Sequence, residues 1–440
     1  MKIRELKNKD LVILGIGREG LDSFLFLRKT FPKKLIAIAD KKDISELDPK
    51  IEKILSKDDC VKYYGGKDYL KSLKNFDVVL KSPGIRFSAI KKYLKKGGVV
   101  TSQTELFFDN SPAKIIGVTG TKGKSTTSSL IYSVLKKNGF STYLLGNIET
   151  PSLSYLSKIS KKDIIVYELS SHQLQFLKHS PQIAVFLNIY PEHLDYYKNF
   201  KEYFKAKTNI ANLQNKNDWF IFNPGLKEIK SLSRKIKSKK IGIDPKKYED
   251  IFRQNPKFQE ITHKENLTAV FEVGKILKLT NGQIIKGIKA FKPLSHRLEL
   301  VGKFKNIEFY DDSIATIPEA TIFALNTLGE KVETIILGGF DRGIDFTKIS
   351  QEISENIGLK NLIFLPVSGK KIWQGINKES QSRFNKYFTD NIEEAVKICF
   401  KKTNPGKICL LSCASPSFGI FKDYKERGDL FKKYVKQYGK

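Results

Sequence analysis

The 440-residue sequence predicts three tandem α/β domains. Short apolar runs alternate with helical patterns along the chain, as in mostly parallel sheets covered by helices on both faces. Glycine-rich turns join a strand to a helix at residues 15–20 and again at 117–126. Polar, proline-containing segments at 109–112 and 291–293 divide the chain into 1–110, 111–293 and 294–440. A chain of this length exceeds one ordinary core, and about three domains is the expectation from size alone.

In the first length, residues 11–16 read as a buried strand. The turn Gly15-Ile-Gly17-Arg18-Glu19-Gly20 follows, then a helical pattern and a strand at 35–39 ending at Asp40. A glycine turn opening a helix suits a phosphate, and an acid twenty positions on sits where a ribose-binding carboxylate sits in dinucleotide folds. The motif alone is weak; its strand, helix and acid together make it informative. A strand at 78–80 runs into Ser82-Pro83-Gly84-Ile85, followed by a lysine-rich helix and a strand at 99–101.

The second length carries Gly120-Thr121-Lys122-Gly123-Lys124-Ser125-Thr126, entered from apolar Ile115, Ile116 and Val118 and left by a helical pattern at 128–137. Such a loop aims backbone N–H groups at phosphate. Lys124 can reach terminal phosphates, and the Ser125 hydroxyl can hold Mg²⁺. Val118 stands where the usual pattern has glycine, so the loop is a shortened form anchored on Gly120 and Gly123. Strands at 142–145, 164–167 and 183–188 place Glu168 and Asn188 at carboxyl ends, where ligands of parallel sheets lie. Glu168 reads either as a Mg²⁺ partner or as an acid facing a helix dipole. His193, between Glu192 and Asp195, lies just past a strand end. Lys207 falls in a helical pattern at 200–213; a snorkelling surface lysine and a site lysine both fit its spacing. The stretch 235–240 is polar and expected at the surface.

The third length again alternates, with strands at 307–310, 334–337, 362–365 and 408–412. Two of them end in ligand-like turns, 338–343 and 412–417. No short-period repeat or low-complexity tract interrupts it.

Composition excludes some classes. No stretch of about 18 apolar residues exists, so no membrane insertion is expected. The chain opens without a signal-peptide pattern, which points to the cytoplasm. Cys60, Cys399, Cys409 and Cys413 lack metal-finger spacing and read as reduced thiols. The 78 Lys and Arg against 47 Asp and Glu give a net charge of +31. A nucleic-acid binder would show clustering or a recognition motif. The lysines are spread evenly instead, and compositional bias or mild steering of anionic substrates is the better reading.

The residues at 120–126, Glu168-Leu-Ser-Ser-His-Gln173, Asn188 with His193 and Asp195, Ala206-Lys207, His296-Arg297, Asp312-Ser313 and 412–422 together resemble the Mur ligases. The resemblance runs in order over essentially the whole chain. Folylpolyglutamate synthase shares the central machinery but lacks a separate leading domain. The resemblance implies a Rossmann-like N-terminal domain for a UDP-linked substrate. It implies a P-loop ATPase-like central domain and a Rossmann-like C-terminal domain for an amino acid. The implied activity is ATP-dependent ligation of glutamate, D-glutamate for preference, to UDP-N-acetylmuramoyl-L-alanine through an acyl phosphate, by a monomer. An L-glutamate-adding variant is the alternative. An NAD(P)-dependent oxidoreductase, suggested by the first glycine turn, and a nucleic-acid-stimulated ATPase are the other classes.

Carried over by position, Lys124, His193 and Lys207 are catalytic, with Lys207 carbamylated. ATP falls to 120–126 with Asn266, His296, Arg297 and Asp312. Two Mg²⁺ ions fall to Ser125, Glu168, His193 and the Lys207 carbamate. Gly17, Arg18, Glu19, Asp40 and Ser82 fall to the uridine nucleotide, and Asn147 and Ser170 to the muramoyl end. Arg342, Ser417 and Tyr424 fall to glutamate. The sequence departs from the family pattern at Glu192 (usually Asp), Glu149 (usually Gly), His263 (often Asn) and Ile314 (usually Lys). The last touches amino-acid recognition.

Overall fold

Short apolar runs become the strands of three sheets in the computed structural model. It describes residues 1–148, 151–193, 196–292, 295–341, 343–417 and 419–440. Glu149, Asp195, Pro293 and Arg342 lie outside the described residues. The described chain divides into two compact units, Met1–Phe291 and Lys292–Lys440.

The first sheet contains β1 (Leu11–Leu14), β2 (Ile36–Ala39), β3 (Val61–Tyr64), β4 (Val78–Lys81) and β5 (Val99–Thr101). Its order is β3-β2-β1-β4-β5, all parallel. β1, β2 and β4 are buried throughout, which is why they read as apolar runs, interrupted only by Lys81 at the end of β4, rather than as alternating ones. Strand order reverses between β1 and β4, the place where open parallel sheets take ligands. The glycine turn stands there. Gly15 turns the chain at φ +89°, and a Cβ on Gly20 would lie 2.0 Å from the Gly15 carbonyl oxygen. The helix Arg18–Thr30 therefore starts tight against the turn.

The second sheet contains β6 (Lys114–Thr119), β7 (Thr142–Gly146), β8 (Ile164–Glu168), β9 (Ile183–Phe186), β10 (Trp219–Phe222) and β11 (Lys239–Gly242). Its order is β11-β10-β9-β6-β8-β7, again all parallel. The polar stretch around 235–240 runs into β11, and its lysines suit an edge strand, where charge discourages further pairing. The first two sheets share one apolar cluster. The helix Gln103–Asn110 joins them, with Phe107 and Phe108 packed 5.5 Å and 5.3 Å from the Tyr167 ring. The proline-containing linker after it thus leaves a buried helix, and the two sheets belong to one compact unit.

The second unit holds β12 (Glu299–Phe304), β13 (Ile307–Asp311), β14 (Val332–Gly338), β15 (Asn361–Leu365), β16 (Asn385–Phe388) and β17 (Ile408–Leu411). Its order is β12-β13-β17-β14-β15-β16, with β12 antiparallel to β13 and the other pairs parallel. No helix among the described residues is long and apolar enough to cross a membrane.

The close approach at Gly20 makes a stability prediction. Gly20→Ala forces the turn and helix apart and should cost about 2 kcal/mol. Chemical denaturation checks this, and an unchanged unfolding midpoint would contradict the tight packing of the turn.

Candidate active site

The phosphate-type loop is set by the end of β6 and by the helix Lys124–Lys137. Gly123, at φ +79°, sits at the helix N-cap, a conformation that favours glycine. Its missing side chain makes room for Asn266, whose amide nitrogen would lie 2.7 Å from an added Cβ. Asn266 rides on the helix Lys264–Ile276, so a residue far along the chain meets the loop directly.

Neighbouring segments fix the loop's shape. The Thr121 amide donates to the Asn188 carbonyl at 3.0 Å, and the Lys122 amide to Asn188 Oδ1 at 2.8 Å. Asn188 Nδ2 returns a hydrogen bond to the Lys122 carbonyl at 3.1 Å. The Thr121 hydroxyl accepts from the Tyr190 amide at 2.9 Å and lies 3.1 Å from the Tyr203 hydroxyl. Lys122 pairs with Glu192 at 3.2 Å. Lys124 folds back, donating to the Gly120 and Thr121 carbonyls at 3.0 Å and 2.9 Å.

Two buried groups face this loop. Lys207, on the helix Phe200–Thr208, is 1% exposed. Its Nζ donates to the Gly120 carbonyl at 2.9 Å and to Thr119 Oγ1 at 3.3 Å. Burial, with the Lys124 ammonium as a second cause, holds its pKa well below the usual lysine range; Glu192 and Glu168 oppose this only in part. The sequence left a surface lysine open for this position, and the structure buries it. Glu168, at the end of β8, is 1% exposed. Its Oε1 accepts from Asn147 Nδ2 at 2.9 Å, and its Oε2 is buried without a hydrogen-bond partner among the described residues. A buried carboxylate oxygen of this kind is costly unless a cation meets it. His193 has φ +58°, with its ring 4.9 Å from that of His172 and 6.0 Å from that of Tyr203.

At the first sheet's switch point, Asp40 Oδ2 accepts from the Ile16 amide at 2.8 Å and steadies the glycine turn. Ser82 Oγ donates to the Gly15 carbonyl at 3.0 Å. Glu19 turns toward the second sheet, where its Oε1 accepts from Gln173 Nε2 at 2.8 Å. Ser170 caps the short helix carrying Gln173.

In the second unit, His296 is 4% exposed, with Nδ1 at 2.7 Å from Asp311 Oδ2. Asp312 accepts from Ser412 Oγ at 2.7 Å and from the Leu298 amide at 3.2 Å. The Arg297 Nε is buried without a partner among the described residues. Ser417 is buried, and the Tyr424 ring stands 5.9 Å from that of His296. Fully buried Arg427 donates to the Ser313 hydroxyl and carbonyl at 2.9 Å and 2.8 Å and to the Ser415 carbonyl at 3.2 Å, so it ties two strand-end loops together.

Residues 118–285 match the Mur ligase middle domain. The UDP-N-acetylmuramoylalanine–D-glutamate ligase of Acetivibrio thermocellus is 34% identical, with 98% of this chain and 97% of the relative covered. The Clostridium acetobutylicum enzyme of the same name is also 34% identical at the same coverage. The chain belongs to the Mur ligase family. As a Mur ligase it is an ATP-dependent, ADP-forming ligase. Its fold resembles two solved structures. One is MurF ligase from Thermotoga maritima in complex with ADP, with a TM-score of 0.58 at 15% identity, covering 99% of this chain and 97% of that one. The other is MurC from the same organism, with a TM-score of 0.58 at 14% identity, covering 98% and 100%.

Within this Mur ligase, Lys124, Glu168, Asn188, Asn266 and Lys207 gather around one loop. Lys81, Tyr203 and Arg427 were not singled out from the sequence. Tyr203 and Arg427 carried no motif; Lys81 alone gave a signal, a lysine ending an apolar strand.

Asp312 yields a pH prediction. Burial is the main cause that pushes its carboxyl up to about 7. The folded chain therefore holds this proton more tightly than the unfolded chain does. Its contribution to stability is greatest below the ordinary carboxylate range and falls as pH rises to about 7. Asp312→Asn should flatten that part of the stability profile in denaturant titrations across this range. An unchanged slope would contradict the assignment.

Proposed function

We propose that this ligase joins D-glutamate to UDP-N-acetylmuramoyl-L-alanine in peptidoglycan precursor synthesis, acting as a monomer in the cytoplasm. The full-length match to D-glutamate ligases carries the substrate reading. The buried group around the phosphate loop supports the chemistry. In the proposed reaction the alanyl carboxylate attacks the γ-phosphorus of ATP, giving an acyl phosphate and ADP. The glutamate amine then attacks the acyl carbon. The tetrahedral intermediate collapses, the amine proton leaves to solvent, and phosphate departs.

Phosphoryl transfer asks for position and charge neutralisation. Lys124 and the loop amides that Asn188 does not already engage take the β- and γ-phosphates, with Asn266 packed against Gly123. His296, Arg297 and Asp312 are assigned to the nucleotide on the second unit. The Glu168 oxygen that lacks a partner among the described residues fits a cation, with Ser125 as its companion ligand. His193 and Lys207 would hold a second ion. Mg²⁺, when bound, neutralises phosphate charge. Burial favours the neutral, nucleophilic form of the amine, the form in which Lys207 can add to CO₂, lose a proton and become a carbamate. That turns the head of Lys207 from an amine into an anion.

The uridine nucleotide is assigned to the 15–20 turn with Asp40 and Ser82, and the muramoyl end to Asn147 and Ser170. Ser417 and Tyr424 are assigned to glutamate, with Arg342 as its cation. Ile314 offers no charge to a carboxylate, so the proposed pocket relies on Arg342.

The test is phosphate release with UDP-N-acetylmuramoyl-L-alanine and each glutamate enantiomer. The expected result is turnover with D-glutamate only. Lys124→Ala should lose about 3 kcal/mol or more of transition-state stabilisation. Amide formation with L-glutamate alone would overturn the substrate, and near-normal turnover in Lys124→Ala would overturn the site.

A further inference from the structure

Lys81 ends β4 with 2% of its surface exposed. A parallel strand covered on both faces ordinarily places an apolar residue there. Its Nζ donates to three carbonyls of the loop that follows, Ser82 at 2.9 Å, Pro83 at 3.3 Å and Ile85 at 2.7 Å. An ammonium has three protons, so this set uses its whole donor capacity. The Phe176 ring lies 5.2 Å away, and Glu19 is the acid that offsets part of the burial cost. Burial still pulls the amine down to about 8.

Carbonyl oxygens that converge on one point repel each other unless a cation stands between them. The loop's fold therefore depends on Lys81. The same loop forms one wall with the glycine turn. The Ser82 amide donates to the Leu14 carbonyl at 2.9 Å, and its hydroxyl to the Gly15 carbonyl at 3.0 Å. The Tyr196 hydroxyl, three residues past His193, donates to the Ile85 carbonyl at 3.1 Å. The wall is thus tied to the segment that carries the central histidine.

We infer that Lys81 is a positioning residue for the uridine nucleotide. Its ammonium holds the 82–85 loop in the shape that, with the 15–20 turn, receives the diphosphate. It makes no contact with the phosphates, because its protons are committed and its head is buried. This inference rests on the proposed nucleotide subsite of the first sheet.

The test is Lys81→Met in the full-length enzyme, read by steady-state kinetics and by UDP titration. The KM for the UDP-linked substrate and the Kd for UDP should both rise about tenfold or more. The kcat should change less than about twofold, and the KM for ATP should stay as it is. Lys81→Gln keeps two donor protons on a shorter arm and should fall between wild type and Lys81→Met. Unchanged KM and UDP affinity in Lys81→Met would overturn the inference. Loss of ATP binding in both variants would also overturn it, since Lys81 would then support the whole unit rather than this loop. Wild-type protein with no affinity for UDP would overturn the subsite reading itself, and the inference with it.

Discussion

The Lys207 amine is buried against the Gly120 carbonyl, and this burial governs its charge beside the phosphate loop. A lysine at 1% exposure, with the Lys124 ammonium acting on it, is a poor place for a second positive charge. Glu192 and Glu168 supply negative potential without reversing the shift. The amine is therefore biased toward its neutral form, able both to hydrogen-bond the loop and to react with CO₂. In the proposed mechanism the conversion changes a cation precursor into an anion, and the two-metal arrangement depends on that change.

The loop itself is preorganised by distant parts of the chain. Asn188 braces two of its amides, Tyr203 and Tyr190 meet Thr121, and Asn266 fills the space that Gly123 leaves. These contacts come from the ends of β9, the segment beyond it and two separate helices. The arrangement suits a reaction that gains most from positioning, because each support sits at the carboxyl edge of a parallel sheet. The first sheet repeats the plan with a glycine turn, a loop after β4 and a buried lysine. The shared apolar cluster keeps these two edges within one unit.

Much of this was legible in sequence because it is local. Buried parallel strands are short apolar runs, and the turns at 15–20 and 120–126 declare themselves through glycine, lysine and hydroxyl residues at fixed offsets. The edge strands were less legible. β3 sets one exposed lysine among half-buried Val61, Tyr63 and Tyr64, and β11 opens on two exposed lysines, so neither shows an apolar run. The polar linker at 109–112 is legible as the passage between the first and second sheets, but the packing of Phe107 and Phe108 just before it on the Tyr167 ring is not. Burial of Lys207 was undecidable from spacing because the same helical period serves a surface and a core lysine. Lys81 and Arg427 act by converging on carbonyls contributed by loops, and no linear pattern records that convergence.

Carbamylation of Lys207 is tested most directly by ¹³C NMR of the full-length enzyme equilibrated with ¹³C-bicarbonate. A carbamate resonance absent from Lys207→Ala is expected, with an activity that falls when bicarbonate is stripped and returns when it is restored. A fully active enzyme with an uncarbamylated Lys207 would contradict it.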